Sequence, residues 1–395
     1  MERLVIGVDI SKDSFSAAGL DDEGKECFSG LYSMDSEGFG KFLEIVNARC
    51  PDRQKVLAAR ESTGCYHINL FSFLTAQGIQ VVVINPLLIA NFAKRSLRKT
   101  KTDKKDARTI AKFLVENRED ISQLSISQDL QDLRDLARER ESISHLISVT
   151  KVEIKRVLRT IFPELESIAD IYTRVMLRFL QAYPSARVVK AVKLKVLAQA
   201  LRQPYVGHKL TFSAEDILRA AQSSVATASP AKEIILRGKI ATLLHLQERL
   251  EGMEKLLIDL CKASRVEDFK ILRSIKGVGP KTGVPFLAEM GSVENFSSHK
   301  KLIAFAGMDP SVCQSGTFIG KSKISKRGNR HLRRAIYLMT ASVVSQNAFF
   351  KAYFIRRKRE GLIPQKALLA TAHKLIRVIF AMLSHRTYFQ LKMAQ

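Results

Sequence analysis

Four acidic residues stand out for where they fall in the sequence. Asp9 closes the run LVIGVDI, Glu61 closes KVLAARE, and Asp103 and Asp106 lie three apart in DKKDAR. Residues three apart on a helix share a face, so Asp103 and Asp106 act from one side if this segment is helical. Four converging carboxylates repel one another unless a cation sits among them, and hard oxygen ligands suit Mg2+ or Mn2+. Two such ions roughly 4 Å apart would serve phosphoryl transfer, one activating the attacking oxygen and one stabilising the leaving oxygen. Singly, each acid has a plainer reading: Asp9 as a turn residue after a strand, Asp103 as a helix N-cap. Their joint placement at the ends of predicted elements favours the metal site.

Basic residues surround two of these acids. Lys94, Arg95, Arg98, Lys99, Lys101, Lys104, Lys105 and Arg108 crowd one short segment, where they repel one another unless an anion lies among them. A second basic stretch is PSVCQSGTFIGKSKISKRGNRHLRR, residues 310–334. There Ser315 is followed by Lys321, Lys323, Lys326, Arg327, Arg330, His331, Arg333 and Arg334, with no acid in the segment. Ser-Gly is a common turn, and no Ser/His/Asp grouping is visible nearby. A serine without an adjacent base needs a metal or a neighbouring carboxylate to activate its hydroxyl. On the residues alone, Ser315 is either a turn residue or a nucleophile served by the distant acids across two domains or two subunits.

The composition agrees with a polyanionic partner. The chain has 395 residues, with 64 Lys+Arg against 39 Asp+Glu, a formal charge of +25 and a pI near 9.9. Each phosphate neutralised releases condensed counterions, so nucleic acid is the leading partner and an anionic membrane surface the second. No stretch reaches about 18 uninterrupted apolar residues, and MERLVIGVDISKD does not read as a signal peptide. The five cysteines are odd in number, scattered and never in a CxxC pair, which predicts reduced thiols in the cytosol and no structural zinc.

The elements that must position these residues fall into three regions. Residues 1–118 read as strand, strand, strand, helix, strand, helix, strand, helix, the order of an RNase H-like α/β domain. There Asp9 and Glu61 end neighbouring strands. Residues 119–265 read as helical, with long amphipathic runs through Leu136, Ile143, Ile147, Ile154, Val157 and Ile161, and through Leu236, Ile240, Leu243, Leu250, Met253, Leu257 and Leu260. Ser229 and Pro230 supply the second helix with its N-cap and first turn. The pair suggests an antiparallel hairpin or a dimerising coiled coil, and 164–228 between them is helix-prone. Residues 266–395 are again mainly helical. ILRSIKGVGPKTG has the helix-hairpin-helix pattern, in which Gly277, Gly279 and Lys281 could meet a phosphate.

The sequence resembles the DEDD transposases of bridge-RNA-guided insertion sequences, a family that also contains the Piv-type pilin-gene invertases. The resemblance rests on IGVDISKDSF, ARESTGCY, VVVINPLLIANFAKRSLRKTKTDKKDAR, LRSIKGVGPKTG and FAGMDPSVCQSGTFIGKSKISKRGNRHLRRAIY, in this order. Region 164–228 lies outside it. The resemblance implies a RuvC-like (RNase H-fold) domain whose acidic tetrad is Asp9, Glu61, Asp103 and Asp106. It also implies a C-terminal serine-recombinase-like transposase domain with Ser315 as nucleophile. DNA is then cut and rejoined through a covalent phosphoserine, with Mg2+ on the tetrad and a structured bridge RNA pairing with donor and target DNA. Subunits of a homo-oligomer, dimers assembling into a tetramer, share each active site, in the cytoplasm and at the nucleoid of a prokaryote. Cys313 and Gln314 depart from the aromatic and acidic residues commoner before the serine. The alternatives are a junction resolvase that uses metal-activated water and a DNA invertase.

Overall fold

The run LVIGVDI forms a central strand, β1 (Leu4–Ile10), with β2 (Ser14–Leu20) and β3 (Glu26–Ser33) following it as an antiparallel meander. After helix α1 (Ser36–Arg49), β4 (Val56–Glu61) pairs parallel with the other edge of β1. Helix α2 (His67–Ala76) then leads to β5 (Gln80–Ile84), parallel to β4, and the sheet order is β3-β2-β1-β4-β5. The computed structural model describes residues 3–61, 67–84, 89, 92, 103–117, 128–202, 210–311, 314–315, 318–319 and 323–390. The helix expected after Pro86 falls mostly outside the described residues.

Alternation along the strands gives the sheet two apolar faces. Leu4, Ile6 and Val8 face a core built with Phe42 and Val46 of α1 and Leu70 and Leu74 of α2. Val5, Ala59 and Val82 face the other way, against Ile110, Phe113 and Leu114 of helix α3 (Asp103–Glu116). A strand buried on both faces reads as a continuous apolar run, as LVIGV does. These elements belong to one compact unit, Met1–Ser127, and the rest of the chain forms a second, Gln128–Gln395.

The second unit is built on two long helices, α4 (Gln128–Ile161) and, later in the chain, α10 (Pro230–Ser264). Ion pairs Arg140–Glu254, Glu139–Arg249 and Glu153–Lys239 run in opposite sequence directions, so the helices form an antiparallel hairpin within one chain. Ser229 caps α10 by accepting from Lys232 N, and Pro230 occupies its first turn, as expected. Ile143, Ile154 and Ile161 are buried, as are Leu236, Ile240, Leu243 and Leu257, but Leu260 is exposed and Cys261 takes the inward place. The exposed Leu260 shows that the apolar spacing slips by one residue near the end of the helix.

Each end of the hairpin carries its own core. Between the two long helices lie α5 (Leu165–Ile168), α6 (Arg174–Ala182), α7 (Ala186–Lys190), α8 (Leu194–Arg202) and α9 (Ala214–Gln222). They pack Met176, Leu180, Leu197 and Ile217 on the hairpin tip formed by Leu158, Ile161, Leu236 and Ile240. At the other end Leu133, Ala137, Leu257 and Cys261 join the C-terminal helices. These are α11 (Val266–Arg273), α12 (Pro280–Met290), α13 (His299–Phe305), α14 (Arg330–Gln346), α15 (Ala348–Arg359) and α16 (Pro364–Ser384). Helix α16 is long and apolar enough to cross a membrane, yet Leu375, Ile376, Ile379 and Leu383 are buried among the other C-terminal helices.

Candidate active site

In the first unit, backbone packing fixes how α3 lies on the strand that carries Asp9. Gly7 lies in the middle of β1, and a Cβ there would stand 2.0 Å from Ala107 O and 2.4 Å from Ala111 N. Only glycine admits a helix backbone this close. Side chains alternate along a strand, so Val5, Gly7 and Asp9 share the face that α3 covers. Because Gly7 meets Ala107 and Ala111 while Val5 packs with Ile110 and Leu114, α3 runs antiparallel to β1. Its first turn, with Asp103 and Asp106, therefore lies toward the end of β1 that carries Asp9. Arg60 pairs with Val8 in the parallel register, which sets Glu61 level with Asp9 on the neighbouring strand.

Asp9 and Asp106 are both half-buried, while the side chains of Glu61 and Asp103 lie outside the described residues. Among the described residues no group of three or more His, Cys, Asp or Glu could hold a metal ion. The donor chemistry of the four acids, carboxylate oxygen alone, fits a hard divalent cation. Of the basic residues expected around them, Arg108 is ion-paired with Glu26 at 3.2 Å and Lys105 is exposed. Arg108 is thus committed to the sheet side of α3. Lys94, Arg95, Arg98, Lys99, Lys101 and the side chain of Lys104 lie outside the described residues.

In the second unit Ser315 sits in a small two-stranded ladder. β6 (Pro310–Ser311) pairs with β9 (Lys323–Ile324), and β7 (Gln314–Ser315) with β8 (Phe318–Ile319), Ser315 standing opposite Phe318. Only residues 316 and 317 separate the inner pair, so Ser315 adjoins the turn of a β-hairpin. Its side chain, like residue Lys321, lies outside the described residues.

The root of this hairpin is defined in detail. The chain entering it passes the chain leaving it at two glycines: a Cβ on Gly307 (φ 63°) would lie 2.6 Å from Gly328 N, and one on Gly328 2.3 Å from Phe305 O. Ser325 Oγ donates to Asp309 Oδ1 at 2.6 Å, Ser325 N to Asp309 O at 2.8 Å, and Lys326 N to Gly307 O at 3.0 Å. Asn329 then caps α14, accepting from His331 N at 2.9 Å and Leu332 N at 3.0 Å.

A buried carboxylate holds that cap. Glu289 of α12 is 1% exposed and accepts from Asn329 Nδ2 at 2.7 Å and from Arg138 of α4 at 2.7 and 3.0 Å. Burial pushes its carboxyl up, but the hydrogen bonds from Arg138 and Asn329 outweigh this and leave it below its usual 4.5. Arg134 donates to Ala288 O at 2.8 Å, fixing the same turn of α12 to α4.

This network changes the reading of the basic stretch. His331 Nδ1 and Arg334 contact Glu141 at 2.9 and 3.3 Å, and Arg333 donates to Ala306 O at 2.8 Å. These three side chains brace the hairpin root. Lys323, Lys326, Arg327 and Arg330 are exposed. None of Glu289, Glu141, Asp309 or Gly7 stands out from residue patterns as a site residue, although a glycine inside a buried strand is a signal of close backbone approach.

The turn between α11 and α12 divides in the same way. Gly277 (φ 101°) is needed for packing, because a Cβ would lie 2.7 Å from Val343 Cα of α14, and Ser342 Oγ donates to its carbonyl at 2.8 Å. Lys281 is ion-paired with Glu254 at 2.9 Å. Gly279 has nothing near its Cβ position and caps α12 without a side-chain bond. Its end of the turn is the part open to an anion.

Comparison with known proteins matches two stretches of the chain to family models. A model of the DEDD transposase domain of IS110, described as a transposase, matches residues 6–163. A second, described as transposase of the IS116/IS110/IS902 family, matches residues 269–354. Among curated relatives, an uncharacterized 44.8 kDa protein of insertion element IS116 from Streptomyces clavuligerus is 25% identical over 98% of this chain and 96% of its own length. The pilin gene-inverting protein of Moraxella bovis is 22% identical over 98% of both chains. The transposase for insertion sequence element IS1111A from Coxiella burnetii is 23% identical over 98% of this chain and 91% of its own. With one match on the acid-bearing sheet and the start of the helical hairpin, and the other on the stretch that contains Ser315, the chain carries DEDD transposase domains of the IS110/IS116 family.

Proposed function

We propose that the chain is a DNA recombinase in which Ser315 forms a covalent phosphoserine with DNA and Asp9, Glu61, Asp103 and Asp106 hold Mg2+, or Mn2+ in its place. The observation that carries this reading is the contact at Gly7, which aims the first turn of α3 at the Asp9 end of β1. The sheet order also suits the RNase H-like, RuvC-like fold that the family implies. In the reaction the Ser315 oxygen bonds to a DNA phosphorus as the bond to a strand oxygen breaks. The departing oxygen takes up a proton, and a second strand hydroxyl later reverses the exchange. When bound, the divalent cation supplies positive charge against the charge developing on the phosphate. Lys323, Lys326, Arg327 and Arg330 hold the DNA backbone beside the serine, and the Gly279 end of the helix-hairpin-helix meets a further phosphate.

Acids and serine lie in separate units, so the complete site is composite, and we assign its two halves to different subunits of a tetramer. Donor and target DNA are chosen by a structured RNA encoded beside the gene, in the cytoplasm of a prokaryote. The working division is 1–118 for the acid domain, 119–265 for the helical region with its 164–228 insert, and 266–395 for the serine domain. Full-length likeness to two pilin gene-inverting proteins keeps DNA inversion as a second outcome of the same chemistry. Incubation with labelled DNA, Mg2+ and the adjacent non-coding transcript, followed by denaturing electrophoresis, tests the mechanism. A protein–DNA adduct is expected for the wild type. Hydrolysed ends with no adduct would instead identify a resolvase-like nuclease that uses water.

A further inference from the structure

Helix α15 reads AFFKAYFIRRKR, with aromatic rings interleaved with cations. Phe350 is buried, but Phe349 is 36% exposed. Lys374 of α16 places its ammonium 4.0 Å from the ring centre of Phe349 and 4.4 Å from that of Tyr353. The guanidinium of Arg356 lies 5.1 Å from the Tyr353 ring. Burial, then repulsion from Arg356 and Arg377, pulls Lys374 below its ordinary lysine range.

The two helices carry eight Lys or Arg residues and no acid. The one acid between them, Glu360, pairs with Arg357 and Arg356. Among the described residues, no carboxylate pairs with Lys374 or Arg377. An anion arriving here relieves cation repulsion instead of displacing an existing ion pair.

Phe349 also walls a groove of about 770 Å3, together with Val378, Met382, Tyr388 and Phe389. The rings of Phe349 and Phe389 are 6.3 Å apart, centre to centre. This volume is in the range that takes a small organic group. The nearby carboxylates are engaged, Glu267 by the Tyr388 hydroxyl at 2.7 Å and Asp268 by Arg386.

We propose that this groove and the cations beside it bind single-stranded nucleic acid, an unstacked base packing against Phe349 while flanking phosphates meet Lys374 and Arg377. Aromatic platforms bordered by cations suit single strands, because every base has a π-face and every linkage a charge. Bases inside a duplex are not free to enter such a groove. Binding at this groove does not depend on the Ser315 reaction.

The test is fluorescence anisotropy with the full-length chain, using a labelled dT 15-mer, an rU 15-mer and a duplex across a salt series. Phe349→Leu is expected to weaken both single strands about tenfold and leave the duplex within about twofold. The Lys374→Gln/Arg377→Gln double variant changes side chains near the surface and is expected to keep the fold, checked by thermal melting. It is expected to lower the slope of log K against log salt by about 1.4 on single strands, about 0.7 for each phosphate no longer neutralised. Single-strand affinity unchanged in Phe349→Leu would overturn the proposal, as would an equal loss on duplex. Displacement of the oligonucleotide by poly-glutamate at the same charge concentration would also overturn it, leaving an acidic peptide as the ligand.

Discussion

The two halves of the candidate site are held by different physics. In the first unit the acids are placed by shape: α3 meets β1 backbone to backbone over Gly7, with an apolar layer of Val5, Ile110 and Leu114 behind it. In the second unit the serine hairpin is placed by polar pins. Asp309 holds Ser325, Asn329 caps α14, and buried Glu289 joins that cap to Arg138 of the long helix. A shape-held site tolerates changes of charge in its support but no added volume. A pinned site tolerates some added volume but not the removal of a hydrogen-bond partner. The half proposed to hold cations is thus kept by contacts that pH does not alter.

The largest effect that separates the halves is expected from the acids themselves. Asp9→Asn and Asp106→Asn should each reduce metal-dependent strand cleavage by about a thousandfold or more with melting temperature nearly unchanged. Equal cleavage by these variants would remove the acids from the chemistry. Next comes Gly7→Val, which drives a side chain into the carbonyl of Ala107. Overpacking of this kind costs about 3 kcal/mol, read by denaturant unfolding, and strand cleavage should fall with it. A variant of wild-type stability would mean that α3 does not depend on this contact.

The pinned half is expected to break more gradually and in a pH-dependent way. Glu289→Ala leaves Arg138 and Asn329 without a buried acceptor and should cost about 3 kcal/mol. For Glu289→Gln the sign follows from the lowered carboxyl. Its stabilisation is fully present above the ordinary glutamate range and is lost as pH falls through the depressed folded value. The stability gap between wild type and Glu289→Gln should therefore be flat at neutral pH and close in acid; a gap that widened in acid would reverse the assignment. Smallest of all, Ser325→Ala should cost about 1 kcal/mol, the value of one partly buried hydrogen bond. It should also lower recombination without affecting cation binding to the first unit, measured by Mn2+ titration.

The shape-held half was the more legible in sequence. Strands β1 to β5 and helix α3 follow from short apolar runs and 3.6-residue spacing, and Asp9, Glu61, Asp103 and Asp106 fall at the ends of those elements. Gly7 carried a readable signal, a glycine inside a buried strand, but its partner lies 100 residues away and nothing local names it. The long helices were readable as amphipathic, whereas their pairing within one chain depended on charges such as Arg140 and Glu254, 114 positions apart. The pins were not legible. Arg138 and Glu289 are 151 residues apart, and a buried glutamate looks like a solvated one until its fold surrounds it. The strands around Ser315 are two residues each, too short for any period to show. His331, Arg333 and Arg334 read as a phosphate clamp because the groups that engage them are a glutamate on another helix and a backbone carbonyl.

The central claim is that Ser315, served by acids from the other unit, is the nucleophile. Denaturing electrophoresis of wild type and Ser315→Ala after incubation with labelled DNA, Mg2+ and the adjacent transcript tests it most directly. The account predicts a Mg2+-dependent protein–DNA adduct in the wild type that is absent from Ser315→Ala and from Asp106→Asn. An adduct of undiminished yield in Ser315→Ala would contradict it.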